Sequence, residues 1–142
     1  MAGYMTKLQG YVYEGELVNG LAAPVENGVL LVAGETSNAG KLVAPTADTT
    51  SKFILKEITT IYDGAPAYRF IVNKLNANYY FVENGFEIND SAEYDKRTYT
   101  TPVGDFLRAH PLVVGEEFLT TKVTGTLTVG TAYGVKADGS IG

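Results

Sequence analysis

The sequence contains no cysteine, no tryptophan and one histidine, His110. Without thiols it forms no disulfide framework and has no Cys nucleophile, and one imidazole is too few for a zinc ligand set. No cofactor or metal is expected. Basic residues are also scarce: 11 Lys and Arg stand against 16 Asp and Glu, a formal charge of −5. That is the wrong sign for a surface that neutralises phosphates, so nucleic acid is not an expected partner. Long apolar runs are missing too. The longest aliphatic stretch, Val29 to Ala33, falls far short of the about 20 residues that span a bilayer. Met1 to Val12 mixes polar and apolar residues without the order of an export signal. No membrane partner is expected.

What the chain does have is a strand-and-turn vocabulary. Its 142 residues suffice for one modest core, so residues 1–142 are read as a single domain. It carries 16 Gly, ten Tyr and six Phe, with much Thr and Val and little Ala, Leu, Glu or Lys at helical spacing. Asn19-Gly20, Asn27-Gly28, Asn84-Gly85, Asp63-Gly64 and Asp138-Gly139 are dipeptides that accept positive φ at the centre of a tight turn. Between them the residues predict strands over Leu8 to Tyr13, Val29 to Ala33, Phe53 to Tyr62, Ala67 to Val72, Tyr79 to Val82, Phe118 to Val123 and Ala132 to Lys136. The expected fold class is all-β, a small sandwich or barrel with at most one short helix.

The strand period assigns faces. Phe53 to Tyr62 carries apolar groups on both sides, and Tyr68, Phe70 and Val72 fall together on the returning strand. Tyr79 and Phe81 share a face that Tyr80 does not. Phe106 to His110 reads equally as a short helix, with Thr101 as cap, Pro102 at the first helical position and Pro111 as the stop, or as an irregular strand. Two echoes are visible. Val25-Glu26-Asn27-Gly28 recurs as Val82-Glu83-Asn84-Gly85, and Leu112 to Phe118 recurs as Leu127 to Tyr133, each an apolar approach, a Gly bend and a new strand.

A search for chemistry returns little. Any imidazole acid–base scheme must run through His110, and Ser37, Ser51, Ser91 and Ser140 all sit in turn-like surroundings outside a nucleophile elbow. His110 is therefore read as structural. Gly34 to Leu42 superficially resembles a phosphate loop, but its second Gly comes one residue late and Leu42 stands where a magnesium-holding hydroxyl belongs. Glu83, Glu87, Asp90, Glu93 and Asp95 concentrate charge without the spacing of a calcium loop. Glu116 and Glu117 are adjacent, hence on opposite faces of a strand, and cannot flank one substrate.

The segments Met1-Ala2-Gly3-Tyr4, Gly10 to Gly20, Tyr79 to Asn84, Val114 to Phe118, Tyr133-Gly134-Val135 and Asp138-Gly139 resemble those of small virion structural proteins of tailed bacteriophages. In size and style the chain is similar to the cement or decoration proteins that bind the outside of a phage head. The resemblance implies a non-enzymatic protein assembled in the bacterial cytoplasm and located on the virion. Its partners would be the major capsid protein and neighbouring copies of itself. Residues 1–10 then read as an N-terminal arm, with Tyr4, Met5, Leu8, Tyr11 and Tyr13 as partner-binding residues. A tail-tube or other tail component shares the same β-rich, Cys-free character. A carbohydrate-binding sandwich would use exposed Tyr and Asn, although Trp, the best stacking residue, is missing.

Overall fold

The computed structural model describes residues 16–19, 24–60, 66–82, 100–101, 103 and 106–142, and the only helix among them is a 3-10 turn at Thr36–Asn38. The architecture is built outward from the longest strand pair. β-branched and aromatic residues suit a pleated, half-buried surface, and they dominate two strands, Asp48–Thr60 and Pro66–Lys74, which pair antiparallel. Phe53 lies opposite Val72 and Leu55 opposite Phe70, all four buried, while Ile54 and Ile71 pair on the other face.

Numbered along the chain, the strands are β1 (Glu16–Asn19), β2 (Val25–Glu26), β3 (Leu30–Ala33), β4 (Leu42–Val43), β5 (Asp48–Thr60), β6 (Pro66–Lys74), β7 (Tyr80–Val82), β8 (Thr100–Thr101), β9 (Phe106–Pro111), β10 (Glu117–Thr120) and β11 (Ala132–Val135). They form a five-stranded sheet in the order β1-β9-β7-β3-β4, a four-stranded sheet β10-β6-β5-β11 and a two-stranded sheet β2-β8. Every strand pair among the described residues is antiparallel.

The two larger sheets face each other across one apolar core, which makes the molecule a sandwich. Leu30 and Phe81 from the first sheet pack with Phe53, Leu55, Phe70, Val72, Phe118 and Val135 from the second. Phe118 is the hub: its ring centroid lies 4.9 Å from Phe81 and 5.9 Å from both Phe53 and Phe70. A second cluster of Val29, Leu31, Leu42, Val82 and Ala109 occupies the opposite face of the five-stranded sheet, and Val25 of β2 packs against it. The neighbours Leu30 and Leu31 therefore serve different clusters, as side chains alternating along a strand must.

The chain crosses from the first sheet to the second between β9 and β10, and backbone hydrogen bonds hold that crossing. Leu112 N–H donates to the Tyr79 carbonyl, Gly115 N–H to Val72 and Val72 N–H to Glu116, at 3.0, 2.8 and 2.9 Å. β5 leaves the core at a register shift between Leu55 and Glu57. From Lys56 to Thr60 every residue of β5 is exposed, while Ala67 and Tyr68 opposite it on β6 still pack inward. On the outer face of this β5–β6 hairpin Arg69 pairs with Glu57 at 3.2 Å and donates to Glu117 at 2.6 Å. The pairs are partly exposed, so their contribution to stability is small.

The expected strands at Val29, Phe53, Ala67, Tyr79, Phe118 and Ala132 are all present with shifted ends. The ambiguous Phe106 to His110 is strand β9, where backbone pairing with β1 on one side and β7 on the other outweighs a weak local helix signal. Leu8 to Tyr13 lies outside the described residues. Two expected turns differ in detail from the doubly left-handed form. Gly28 has φ 93° and Gly139 φ 86°, but Asn27 and Asp138 keep negative φ. Asn27-Gly28 also joins strands of two different sheets, not a hairpin.

The echo of Leu112 to Phe118 in Leu127 to Tyr133 is structural. Leu112 and Leu127 are buried, Gly115 and Gly130 have φ 98° and 92°, and β10 and β11 follow. The two copies end on opposite edges of the four-stranded sheet.

Candidate functional site

Asp48, Ser51 and Tyr79 form a dense polar network. Asp48 opens β5, and its Oδ1 accepts the backbone N–H groups of Thr50 and Ser51 at 2.8 and 3.1 Å. Its Oδ2 accepts the Ser51 hydroxyl at 2.7 Å and the Tyr79 hydroxyl at 2.6 Å, while Ser51 Oγ in turn accepts Asn76 N–H at 2.8 Å. Burial opposes ionisation of Asp48, but the hydrogen bonds from Tyr79, Ser51 and Thr50 outweigh it and bring its pKa down to about 2. Burial and the adjacent Asp48 carboxylate push Tyr79 up to about 12. Ser51 thus donates to a carboxylate that is already shared, and the network ties the start of β5 to the β6–β7 turn and to Tyr79.

His110 is buried opposite Phe81. Near it, Glu116 is buried at the sheet crossing: Oε1 accepts Val113 N–H at 2.7 Å, and Oε2 has no hydrogen-bond partner among the described residues. Burial raises the Glu116 pKa, partly offset by the Val113 N–H and by His110. Glu117 points the other way, to Arg69, so the two adjacent glutamates lie on opposite faces as their spacing requires. Tyr79 and Phe81 enter the main core while Tyr80 packs on the second cluster.

An opening with converging charge lies where β2, the segment after β10 and the C-terminal turn meet. It is a cleft of about 460 Å³ lined by Pro24, Val25, Glu26, Val29, Lys122, Asp138 and Ser140, within the usual size range of small-ligand sites. Lys122 Nζ donates to Glu26 Oε1 at 2.6 Å and is largely covered. Its backbone is held by Thr120, whose Oγ1 accepts Lys122 N–H at 2.9 Å and donates to the Gly28 carbonyl at 2.8 Å.

Across the cleft, Asp138 Oδ1 accepts both the N–H and the hydroxyl of Ser140, at 2.9 and 2.6 Å. Thr124 Oγ1 adds a 2.6 Å hydrogen bond to Ser140 Oγ. Gly139 makes this turn possible, because a Cβ there would lie 2.6 Å from the Leu30 carbonyl oxygen. The hydrogen bond from Lys122 lowers the Glu26 pKa, and those from Ser140 lower that of Asp138. Both stay ionised at neutral pH.

Sequence reasoning saw Asp138 only as a turn residue and did not single out Lys122 or Glu26 as ligands. They are far apart in the chain and carry no shared motif. Tyr4, Met5, Leu8, Tyr11 and Tyr13 lie outside the described residues, as do Glu83, Glu87, Asp90, Glu93 and Asp95. Gly34 to Leu42 contains the 3-10 turn and β4, with no long helix to present its N-terminus to a phosphate. No group of three or more acidic or histidine side chains suited to a metal ion occurs among the described residues. Comparison with protein-family models, with characterised proteins and with solved structures finds no match.

Proposed function

We propose that the chain is a non-enzymatic structural protein of a tailed-phage virion, a decoration or cement protein that binds the major capsid protein lattice and neighbouring copies of itself. The sequence resemblance suggests this class. The structural observation that supports it is the β5–β6 hairpin, whose β5 strand is exposed from Lys56 to Thr60 beyond the sandwich core. An exposed strand edge offers backbone donors and acceptors to another chain, and many weak copies of such a contact add up on a lattice. Asp48, Ser51, Tyr79 and Glu116 are already engaged in structural hydrogen bonds, which fits a scaffold role. Tyr4, Met5, Leu8, Tyr11 and Tyr13 remain the proposed partner-binding residues.

The deciding experiment adds the purified chain to phage heads that lack it and images the particles by cryo-electron microscopy. Density repeating at capsid lattice positions is the expected result. Density confined to tails, or rings formed by the chain alone, would replace this reading with a tail component. Deleting Met1 to Lys7 should abolish head binding without lowering the melting temperature; retained binding would move the contact elsewhere.

A further inference from the structure

We propose that the cleft between β2 and the C-terminal turn binds a neutral polyhydroxy ligand, a saccharide, through Glu26, Lys122 and Asp138. The inference rests on the cleft and is independent of the virion reading. Three polar groups converge there. Glu26 Oε1 is taken by Lys122 and Asp138 Oδ1 by Ser140, and each carboxylate has a second oxygen, Glu26 Oε2 and Asp138 Oδ2, with acceptor capacity. Lys122 Nζ has three N–H donors, of which one goes to Glu26. The cleft is therefore lined by two acceptors and a donor.

The charges select the ligand class. An anion drawn to Lys122 would meet two carboxylates, and a cation drawn to the carboxylates would meet the ammonium. A hydroxyl group both donates and accepts, so neighbouring hydroxyls of one sugar can donate hydrogen bonds to Glu26 and Asp138 and accept one from Lys122 with no charge mismatch. Pro24, Val25 and Val29 line the same cleft and supply an apolar wall for the C–H face of a pyranose ring. The site is also preorganised: Thr120 fixes the Lys122 backbone, and the Asp138 turn is locked by Ser140 and Thr124. Preorganised donors lower the cost of ordering on binding.

The test is a 15N-correlated NMR titration of the full chain with lactose, maltose, cellobiose and N,N′-diacetylchitobiose. Inorganic phosphate and arginine amide serve as the charged controls. Saturable shifts with at least one saccharide are expected, centred on residues 24–29, 122–124 and 138–141, with a Kd on the order of a millimolar. Glu26→Gln and Asp138→Asn should each weaken that binding about tenfold, the loss of one hydrogen bond to a charged group, and Lys122→Met should do the same. Thermal melts establish that each variant is folded, and the two amide variants keep the shape of the originals. No shift with any of the four sugars overturns the proposal. So does saturable binding of phosphate or arginine amide in their place, or saccharide shifts that survive all three substitutions. Head binding is unaffected by any of these outcomes, so failure here and failure of the virion reading are separable.

Discussion

Replacing Tyr79 by Phe removes one hydroxyl and leaves the ring, so it isolates a single link in the Asp48 network. The ring keeps its edge-on contact with Phe53 at 6.4 Å, and the hydroxyl lost is a 2.6 Å donor to a carboxylate. A hydrogen bond to a charged group contributes about 1.5–3 kcal/mol. Asp48 keeps three other donors, from Thr50 N–H, Ser51 N–H and Ser51 Oγ, so the carboxylate is not stranded and a loss of about 2 kcal/mol is expected at pH 7.

The pH dependence is the sharper test. A fall of the Asp48 pKa from 3.8 to about 2 corresponds to at most about 2.5 kcal/mol of stability, less what solvent screening of this half-buried group removes. It is present above the unfolded pKa and lost as pH falls through the native one. Without the Tyr79 hydroxyl the native pKa rises, so the gap between wild type and variant should be widest above pH 4 and fall below about 1 kcal/mol near pH 2. Urea unfolding at a series of pH values measures both curves. A gap independent of pH, or one under about 0.5 kcal/mol at pH 7, would refute the assignment of Tyr79 as a donor that sustains the Asp48 charge.

Glu116→Gln should be at least as stable as wild type at pH 7. Burial raises the native Glu116 pKa, so the stability gained by protonation is complete below the unfolded value of 4.5 and lost as pH rises through the native one. The Gln variant, which keeps an acceptor for Val113 N–H, should gain most above that range, and a variant less stable at pH 7 than at pH 4 relative to wild type would contradict the argument. Gly134→Ala should cost about 2–3 kcal/mol by overpacking, because its Cβ would lie 2.3 Å from the Asp48 carbonyl oxygen within the β5–β11 pair; a neutral effect in thermal unfolding would show that the pair yields. Phe118→Ala empties the contact point of both sheets and should cost about 3–5 kcal/mol, read as a lower urea midpoint.

Local order was legible because it is written in neighbouring residues. The Phe53 and Ala67 runs announce a strand pair through β-branched and aromatic content, and alternation alone separates Tyr79 and Phe81 from Tyr80 and Glu116 from Glu117. The repeated Leu-to-Gly bends before Phe118 and Tyr133 are local for the same reason: an apolar anchor, a left-handed glycine and a strand start need no distant partner.

What only the tertiary structure decided is every feature that depends on which strands become neighbours. β4 and β8 are too short to carry a pattern of their own and exist through their pairing with β3 and β2. β9 is a strand because β1 and β7 flank it. Asp48 meets Tyr79 across 31 residues and Lys122 meets Glu26 across 96, so neither the buried acid network nor the charged cleft leaves a spacing motif. Sequence determined which segments extend and which faces turn inward, since those follow from backbone sterics and side-chain period. The order of the strands brought the polar groups together, since sheet pairing is a long-range choice made by the whole core.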